Sequence, residues 1–275
     1  MENLIRGFKE NKAFRISSCL VFLLLAVTLL APVIAPYDPL EAIMRNANAA
    51  PSAEHLFGTD KLGRDVLSRI LYGASYSLSS VVGLVALIFV VGTTLGVIAG
   101  YSGGIVDTVI MRIADMMISF PGVILAIAIA GILGGSLFNA MVALLCVTWT
   151  KYARLSRSMV LKIKKHDFVS AAIVSGGSSI HILWVHILPN ILPLMIITAA
   201  ADIGAMMMEL AGLSFLGFGS QPPAPEWGLM LNEGRQQLQT APWLMIFPGL
   251  AIFITVVIFN LWGDSLRDVL DPRQD

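Results

Sequence analysis

Runs of uncharged, mostly apolar residues too long for a soluble domain recur along the chain. Crossing ~30 Å of hydrocarbon takes about 20 helical residues, because every backbone polar group must be satisfied inside the segment. Stretches from Ile16 to Tyr37, Ile70 to Val106, Met116 to Thr150, Phe168 to Ala201 and Gln236 to Gly263 meet that length. The second sheds its polar ends, Tyr72 to Ser80 and Gly100 to Gly104, and still leaves one span. Gly134-Gly135-Ser136, with Asn139, breaks the third into two helices joined by a tight turn. The pattern predicts about six spans and an all-α, polytopic membrane protein. The first span ends in small residues, Ala31 and Ala35, that suggest a cleavage site, but they lack Ala-x-Ala spacing and Pro36 follows, so it is expected to stay as an uncleaved anchor.

Lys and Arg in short loops set orientation. Arg6, Lys9, Lys12 and Arg15 precede span one; Lys151, Arg154, Arg157, Lys162, Lys164 and Lys165 follow span four; Arg267 and Arg273 follow span six. An even number of spans puts these on one side with Arg112, opposite Arg45, Lys61, Arg64, Arg69 and Arg235. Both termini are therefore expected in the cytoplasm. The organisation expected is a cytoplasmic segment over 1–15 and a single transmembrane domain over 16–275. Outer loops cover about 38–72 and 217–242, and an inner loop about 156–189. Prolines 222, 223 and 225 make the second outer loop rigid, and Trp227 and Trp243 suit an interfacial belt.

Composition narrows the class. Of 275 residues, 56% are hydrophobic and 13% charged, and the formal net charge is +0. A soluble domain carries about 25% charge, and a nucleic-acid binder needs a basic face, so a soluble enzyme and a nucleic-acid partner are both excluded. Cys19 and Cys146 offer neither a disulfide framework nor a metal-ligand cluster. His55, His181 and His186 read as hydrogen-bonding residues, so no metal site is expected. The chain has no Gly-x-x-x-x-Gly-Lys-Ser/Thr phosphate loop.

The inner loop reads Asp167-Phe168-Val169-Ser170-Ala171-Ala172-Ile173-Val174-Ser175-Gly176, then nine residues, then His186-Ile187-Leu188-Pro189. Ala171 and Ala172 give a helix a flat face that another protein can approach closely, Gly176 breaks that helix, and Pro189 marks the start of the next span. This loop resembles the EAA loop of ABC importer permeases, with Ser170 in place of the family's Glu. Two further blocks are similar to the peptide and nickel branch. One is Phe57-Gly58-Thr59-Asp60, Lys61-Leu62 and Gly63-Arg64-Asp65-Val66-Leu67-Ser68-Arg69. The other is Gly212-Leu213-Ser214-Phe215-Leu216-Gly217-Phe218-Gly219 followed by Pro222-Pro223-Ala224-Pro225-Glu226-Trp227-Gly228. The closing Gly263-Asp264-Ser265-Leu266-Arg267-Asp268 and Leu270-Asp271-Pro272-Arg273 continue the likeness.

The resemblance implies a type I ABC importer permease fold with no catalytic residues and no cofactor of its own. ATP and Mg would sit on two partner ATPase subunits, beside a second homologous permease, an external substrate-binding protein and membrane lipid. It implies that Ser170, Ala171, Ala172, Gly176, His186, Leu188 and Pro189 couple to the ATPase, and that Gly58, Thr59, Asp60, Gly63, Arg64, Asp65, Pro223, Glu226 and Trp227 form the outer-loop signature.

Ionisable groups inside a span cost roughly 2.5–3.5 kcal/mol on insertion scales and so face a cavity or a partner. Asp202 and Glu209, seven residues apart with Met206 between them, form one stripe. It either lines a path that attracts a cation or a peptide ammonium, or satisfies groups on the partner permease. The run Asp202-Ile203-Gly204-Ala205-Met206-Met207 resembles the nickel members, so a chelated nickel cargo is expected first and short peptides second. A proton-coupled carrier using Asp202 and Glu209 is the remaining alternative.

Overall fold

The computed structural model describes residues 7–270, and its described residues form helices and loops without a strand. Helix α1 covers Lys12–Ile34 and begins where the Asn11 side chain accepts a hydrogen bond from Phe14 N at 3.0 Å. After a long loop, α2 runs over Val66–Ser102, capped by Asp65, whose carboxylate accepts from Ser68 N at 2.8 Å. Then come α3 (Gly104–Ile118), α4 (Gly122–Leu133), α5 (Leu137–Ile163) and the short α6 (Asp167–Val174). Helix α7 (Ser179–Ile182) passes through a π-turn over Leu183–Ile187 into α8 (Leu188–Phe215). The chain ends in α9 (Trp227–Gly234) and α10 (Trp243–Leu270).

Helices α1, α2, the run through α7 and α8, and α10 are long and apolar enough to cross a membrane. Helices α3 and α4 meet at a bend of 92°, as in a broken span or a re-entrant loop, so four or five apolar spans stand among the described residues where about six were expected. The bend departs from the single helix expected after Met116. Pro121 has no N–H to donate and restricts the residue before it, so the chain turns at Ser119-Phe120-Pro121 and α4 keeps only 12 residues.

The expected break at Gly134 to Ser136 is present in atomic detail. Gly134 takes φ +88°, Ser136 Oγ accepts from Asn139 N at 3.1 Å, and Asn139 Nδ2 donates to Leu133 O and Gly134 O. Two boundaries differ from expectation. Helix α5 runs on through Lys151, Arg154, Arg157 and Lys162, so these bases lie on a helix rather than in a loop. The stretch from Phe168 to Ala201 is not one span, because α6 stops at Val174 and the crossing helix starts again at Ser179.

The core is built on α2 against α5. Gly92, Gly96 and Gly100 recur every four residues on α2 and let α5 approach to backbone contact. A Cβ at Gly92 would lie 2.5 Å from Tyr152 Cβ and 2.6 Å from Trp149 O, and one at Gly96 would collide with Ser156 and Ala153. Helix α10 packs on α8 in the same manner, since a Cβ at Gly204 would sit 2.5 Å from Asn260 Oδ1 and one at Gly263 would sit 2.7 Å from Ala201 Cα. Helix α1 lies on the outside of α10, tied by a 2.8 Å hydrogen bond between the Ser17 and Ser265 hydroxyls.

Candidate coupling surface and pathway

The loop between α5 and α8 is a folded knob. Helix α6 ends in a hydrogen-bond pattern that needs a left-handed residue: Gly177 N donates to Ala172 O, Gly176 N donates to Ile173 O, and Gly176 has φ +79°. Val169 is fully buried and packs with Ile163, Ile182 and Ile187, fixing α6 to α7. Ala171 and Ser170 are exposed, whereas Ala172 is half-buried against this small core. The outward face is more apolar than the two alanines suggested: Val174 is 88% exposed and Ile180 71%, with Phe168 and Ile173 beside them. Unpartnered apolar side chains at such density mark an interaction face.

His186 sits in the π-turn, where Leu188 N–H reaches back five residues to Leu183 O. Pro189 follows at the start of α8, its missing N–H falling where the helix has least use for one. His166, Phe168, His186 and His181 form a chain of ring contacts, with centroids 5.6, 6.1 and 6.0 Å apart. Among the described residues, no group of three His, Cys, Asp or Glu side chains stands close enough to hold a metal.

On α8 the expected stripe divides. Asp202 is buried and bound within its own chain: Lys151 Nζ lies 2.6 and 2.9 Å from its two oxygens, and the Tyr152 hydroxyl donates to Oδ2 at 2.9 Å. Met206 is buried in the core. Glu209 is half-buried and no described residue pairs with it. The open face of the helix is formed by Ala205, Met208 and Gly212, with Glu209 at its edge; a Cβ on Gly212 would meet nothing within 4 Å. Lys151 and Tyr152 are not legible as the partners of Asp202 in the sequence, where Lys151 opens a basic run that suggests a loop. The available signal was a buried acid in want of a base.

The outer-loop residues form a clasp. Gly58 and Gly63 have φ +73° and +78° and close a turn in which Asp60 accepts from Leu62 N, Arg64 N and Arg64 Nε, the last at 2.6 Å. Thr59 donates to Asn46 O and accepts from Ala49 N. Asp65, besides capping α2, is 2.9 Å from His55 Nδ1, so His55 is a bonded residue as expected. Arg64 reaches Glu233 on α9 at 3.2 Å and Arg69 reaches it at 3.0 Å. Glu233 and Arg69 are the centre of this network, and a partner some 160 residues away leaves no local trace in the sequence.

Glu226 is buried at the start of α9, where its carboxylate caps Gly228 N and Leu229 N at 2.8 Å each. Burial pushes its carboxyl above the usual range, against the pull of those two amides and of the Ser214 and Ser77 hydroxyls. Trp227 corrects the interfacial-belt expectation: it is 2% exposed, and its indole N–H donates to Ile70 O at 3.0 Å. Burying the ring against α2 outweighs a place at the bilayer surface because the indole donor is satisfied inside. Pro223, by contrast, is exposed at the tip of the loop.

The described residues thus form a helical bundle with an apolar knob at one end, a clasp at the other and a carboxylate on an open helix face. Residues 92–275 match the family described as the binding-protein-dependent transport system inner membrane component, and residues 2–51 match the N-terminal TM domain of oligopeptide transport permease C. The chain belongs to this family of ABC importer permeases, in the peptide and nickel branch.

Among its relatives, the dipeptide transport system permease protein DppC of Alkalihalophilus pseudofirmus is 44% identical over 98% of this chain and 88% of its own length. The nickel transport system permease protein NikC of Escherichia coli is 40% identical over 94% of each chain. The glutathione transport system permease protein GsiD of Pectobacterium atrosepticum is 43% identical, covering 98% of this chain and 89% of that one. A chain of the MetNI methionine ABC transporter shares the fold, with a TM-score of 0.59 at 20% identity over 74% of this chain and 97% of that chain. The fold is that of a type I importer permease, as expected, and the protein is an inner-membrane subunit of an ABC transporter.

Proposed function

We propose that this chain forms half of a transmembrane pathway for short peptides, opened and closed by separate ATPase subunits that grip the knob from Asp167 to Pro189. The observation that carries the substrate class is Glu209. Asp202 is offset by Lys151, which leaves Glu209 as the unpaired carboxylate beside the open face of α8. One carboxylate in a low-dielectric channel favours a single positive charge such as a peptide ammonium. The relatives that carry dipeptides and glutathione support the same class.

Chelated nickel is the second reading. It is favoured by the 94% mutual coverage with the nickel permease and by the run from Asp202 to Met207. In either case Ser170, Ala171, Ala172, Gly176, His186, Leu188 and Pro189 transmit ATPase movement, the second permease completes the path, and an external binding protein delivers the cargo. The basic residues of the N-terminal segment and of α5 support a cytoplasmic position for both termini. A proton-coupled carrier has no support in family membership.

The test is ATP-dependent uptake into vesicles holding the assembled importer and its binding protein, with labelled dipeptide and radioactive nickel offered in parallel. Saturable dipeptide uptake that falls on the order of tenfold in Glu209→Gln, a loss of about 1.4 kcal/mol, with ATPase activity retained, is the expected result. Nickel uptake without dipeptide uptake would transfer the assignment to the second reading, and full uptake by Glu209→Gln would remove Glu209 from the path.

A further inference from the structure

At the clasp end of the bundle, between the clasp turn and α9, lies a polar pocket of about 250 Å³. Lys61, Ser220, Gln221, Asn232, Glu233 and Arg235 line it. Its walls are held by bonds within the chain: Gln221 Nε2 donates to Gly217 O at 3.2 Å and to Gly219 O at 3.0 Å, and Asn232 Nδ2 donates to the Phe215 carbonyl. Glu233, the acid of the lining, is taken by Arg64 and Arg69. Lys61 and Arg235 are exposed, and no described carboxylate forms an ion pair with either. Two uncommitted positive charges therefore face a pocket whose own carboxylate is already spent, and an anionic group on a ligand would answer them with charge-assisted hydrogen bonds.

The pocket lies in line with Glu209. The open face of α8 carries Ala205, Met208, Glu209 and Gly212 and continues to the exposed Leu216 one turn further on, after which Gly217 enters the pocket wall. Gly217 has φ +92°, and a Cβ there would meet nothing within 4 Å, so no side chain or backbone crowds the step from helix to pocket at this residue. Glu209 and Gly217 are eight positions apart, a rise of about 12 Å. An extended tripeptide spans about 10 Å, so one whose ammonium meets Glu209 ends within side-chain reach of Lys61 and Arg235. A carboxylate at one end of the open face and two bases at the other match a zwitterion, in the order and at the spacing of a short peptide's termini. An acid on a partner protein would answer the bases but leave Glu209 without a counter-charge; a peptide answers both.

We infer that this pocket receives the C-terminal carboxylate of the transported peptide, with Lys61 and Arg235 as its counter-charges. The inference rests on the peptide reading above and adds the second end of the substrate to it. The clasp positions both bases. Lys61 stands in the turn that Asp60 closes, Arg235 directly follows α9, and Glu233 joins the two segments through Arg64 and Arg69.

The test measures ATP-dependent uptake of labelled trialanine into vesicles holding the assembled importer and its binding protein. Alongside it is measured the concentration of loaded binding protein that half-saturates ATPase activity. Lys61→Gln combined with Arg235→Gln should lower uptake on the order of tenfold, about 1.4 kcal/mol, and leave the half-saturating concentration unchanged. Lys61→Arg combined with Arg235→Lys should keep most of the uptake, and Arg45→Gln, an exposed base outside the pocket, should change neither quantity. Trialanine with a photoreactive group on its last residue should label the 217–221 or 232–236 segment during turnover, and with the group on its first residue should label α8. Undiminished uptake by the double Gln variant, an equal loss in Arg45→Gln, or last-residue labelling confined to other segments would each overturn the assignment. A several-fold rise in the half-saturating concentration would also overturn it, making the pocket a docking site for the binding protein. No trialanine uptake by wild type would remove the peptide reading itself and this site with it.

Discussion

Asp202 and Glu209 lie two turns apart on α8, yet only Asp202 has a base. Lys151 is exposed and Asp202 is buried, so removing the base strands the carboxylate, whereas removing both charges can be nearly neutral. Asp202→Asn and Lys151→Met should therefore each lower the thermal stability of the assembled complex. The double variant should recover most of the loss, with a coupling on the order of 1 kcal/mol in a double-mutant cycle. Additive losses would show that the two side chains act independently.

Glu226 gives a pH signature. Its carboxyl titrates above the ordinary value near ~4.3 because burial favours the neutral form. The folded protein therefore holds that proton more tightly than the unfolded chain. Its contribution is full below the unfolded value and is lost as pH rises through the folded one. Glu226→Gln should flatten that fall in a series of melting curves across the acid range. An unchanged slope would place the titration elsewhere.

At this scale the sequence was legible where local chemistry decides, as with the Gly176 turn and the Gly134 to Asn139 break. It was opaque where a partner comes from another helix, as with Lys151 and Glu233.

Among the elements, the pairing of α2 with α5 depends on glycine more than on any large side chain. Gly96→Val pushes a side chain into Ser156 and Ala153, an overpacking of about 1–3 kcal/mol. It should lower the melting temperature well below that of Gly212→Ala, whose new methyl meets open space. Equal melting temperatures would mean that α5 relaxes away at no cost. Helix existence followed from apolar runs, because length and lack of charge are what a bilayer selects. The exceptions are instructive. Helix α4 is short because Pro121 interrupts a run that hydropathy alone joins, and α5 is long because its basic turns continue the helix beyond its apolar part. Hydropathy reports the solvent around a segment, while helix ends are set by hydrogen-bond donors and caps.

For the whole molecule, the knob and the clasp stand at the two ends of continuous helices, so a push on one end is carried through rigid bodies. Ala171 is exposed on the knob while Ala172 helps hold it together, and the two substitutions differ accordingly. Ala171→Trp should leave the permease in the membrane at normal abundance but free of ATPase on purification. Undiminished co-purification would relocate the docking face to Val174 and Ile180.

The architecture as a whole was readable because motif spacing and apolar length together leave few alternatives. The open face of α8 was not, since Met206 and Met208 are indistinguishable until the helix is rotated into its packing.

Glu233 closes a contact with Arg64 and Arg69 across 169 and 164 positions of chain. During biosynthesis both guanidiniums leave the ribosome with only Asp60 as counter-charge, and Glu233 arrives long afterwards. The loop before α2 must wait, unlatched, while every intervening helix is threaded into the bilayer. Closure of the clasp is thereby made a late event of assembly, one that cannot precede the synthesis of α9.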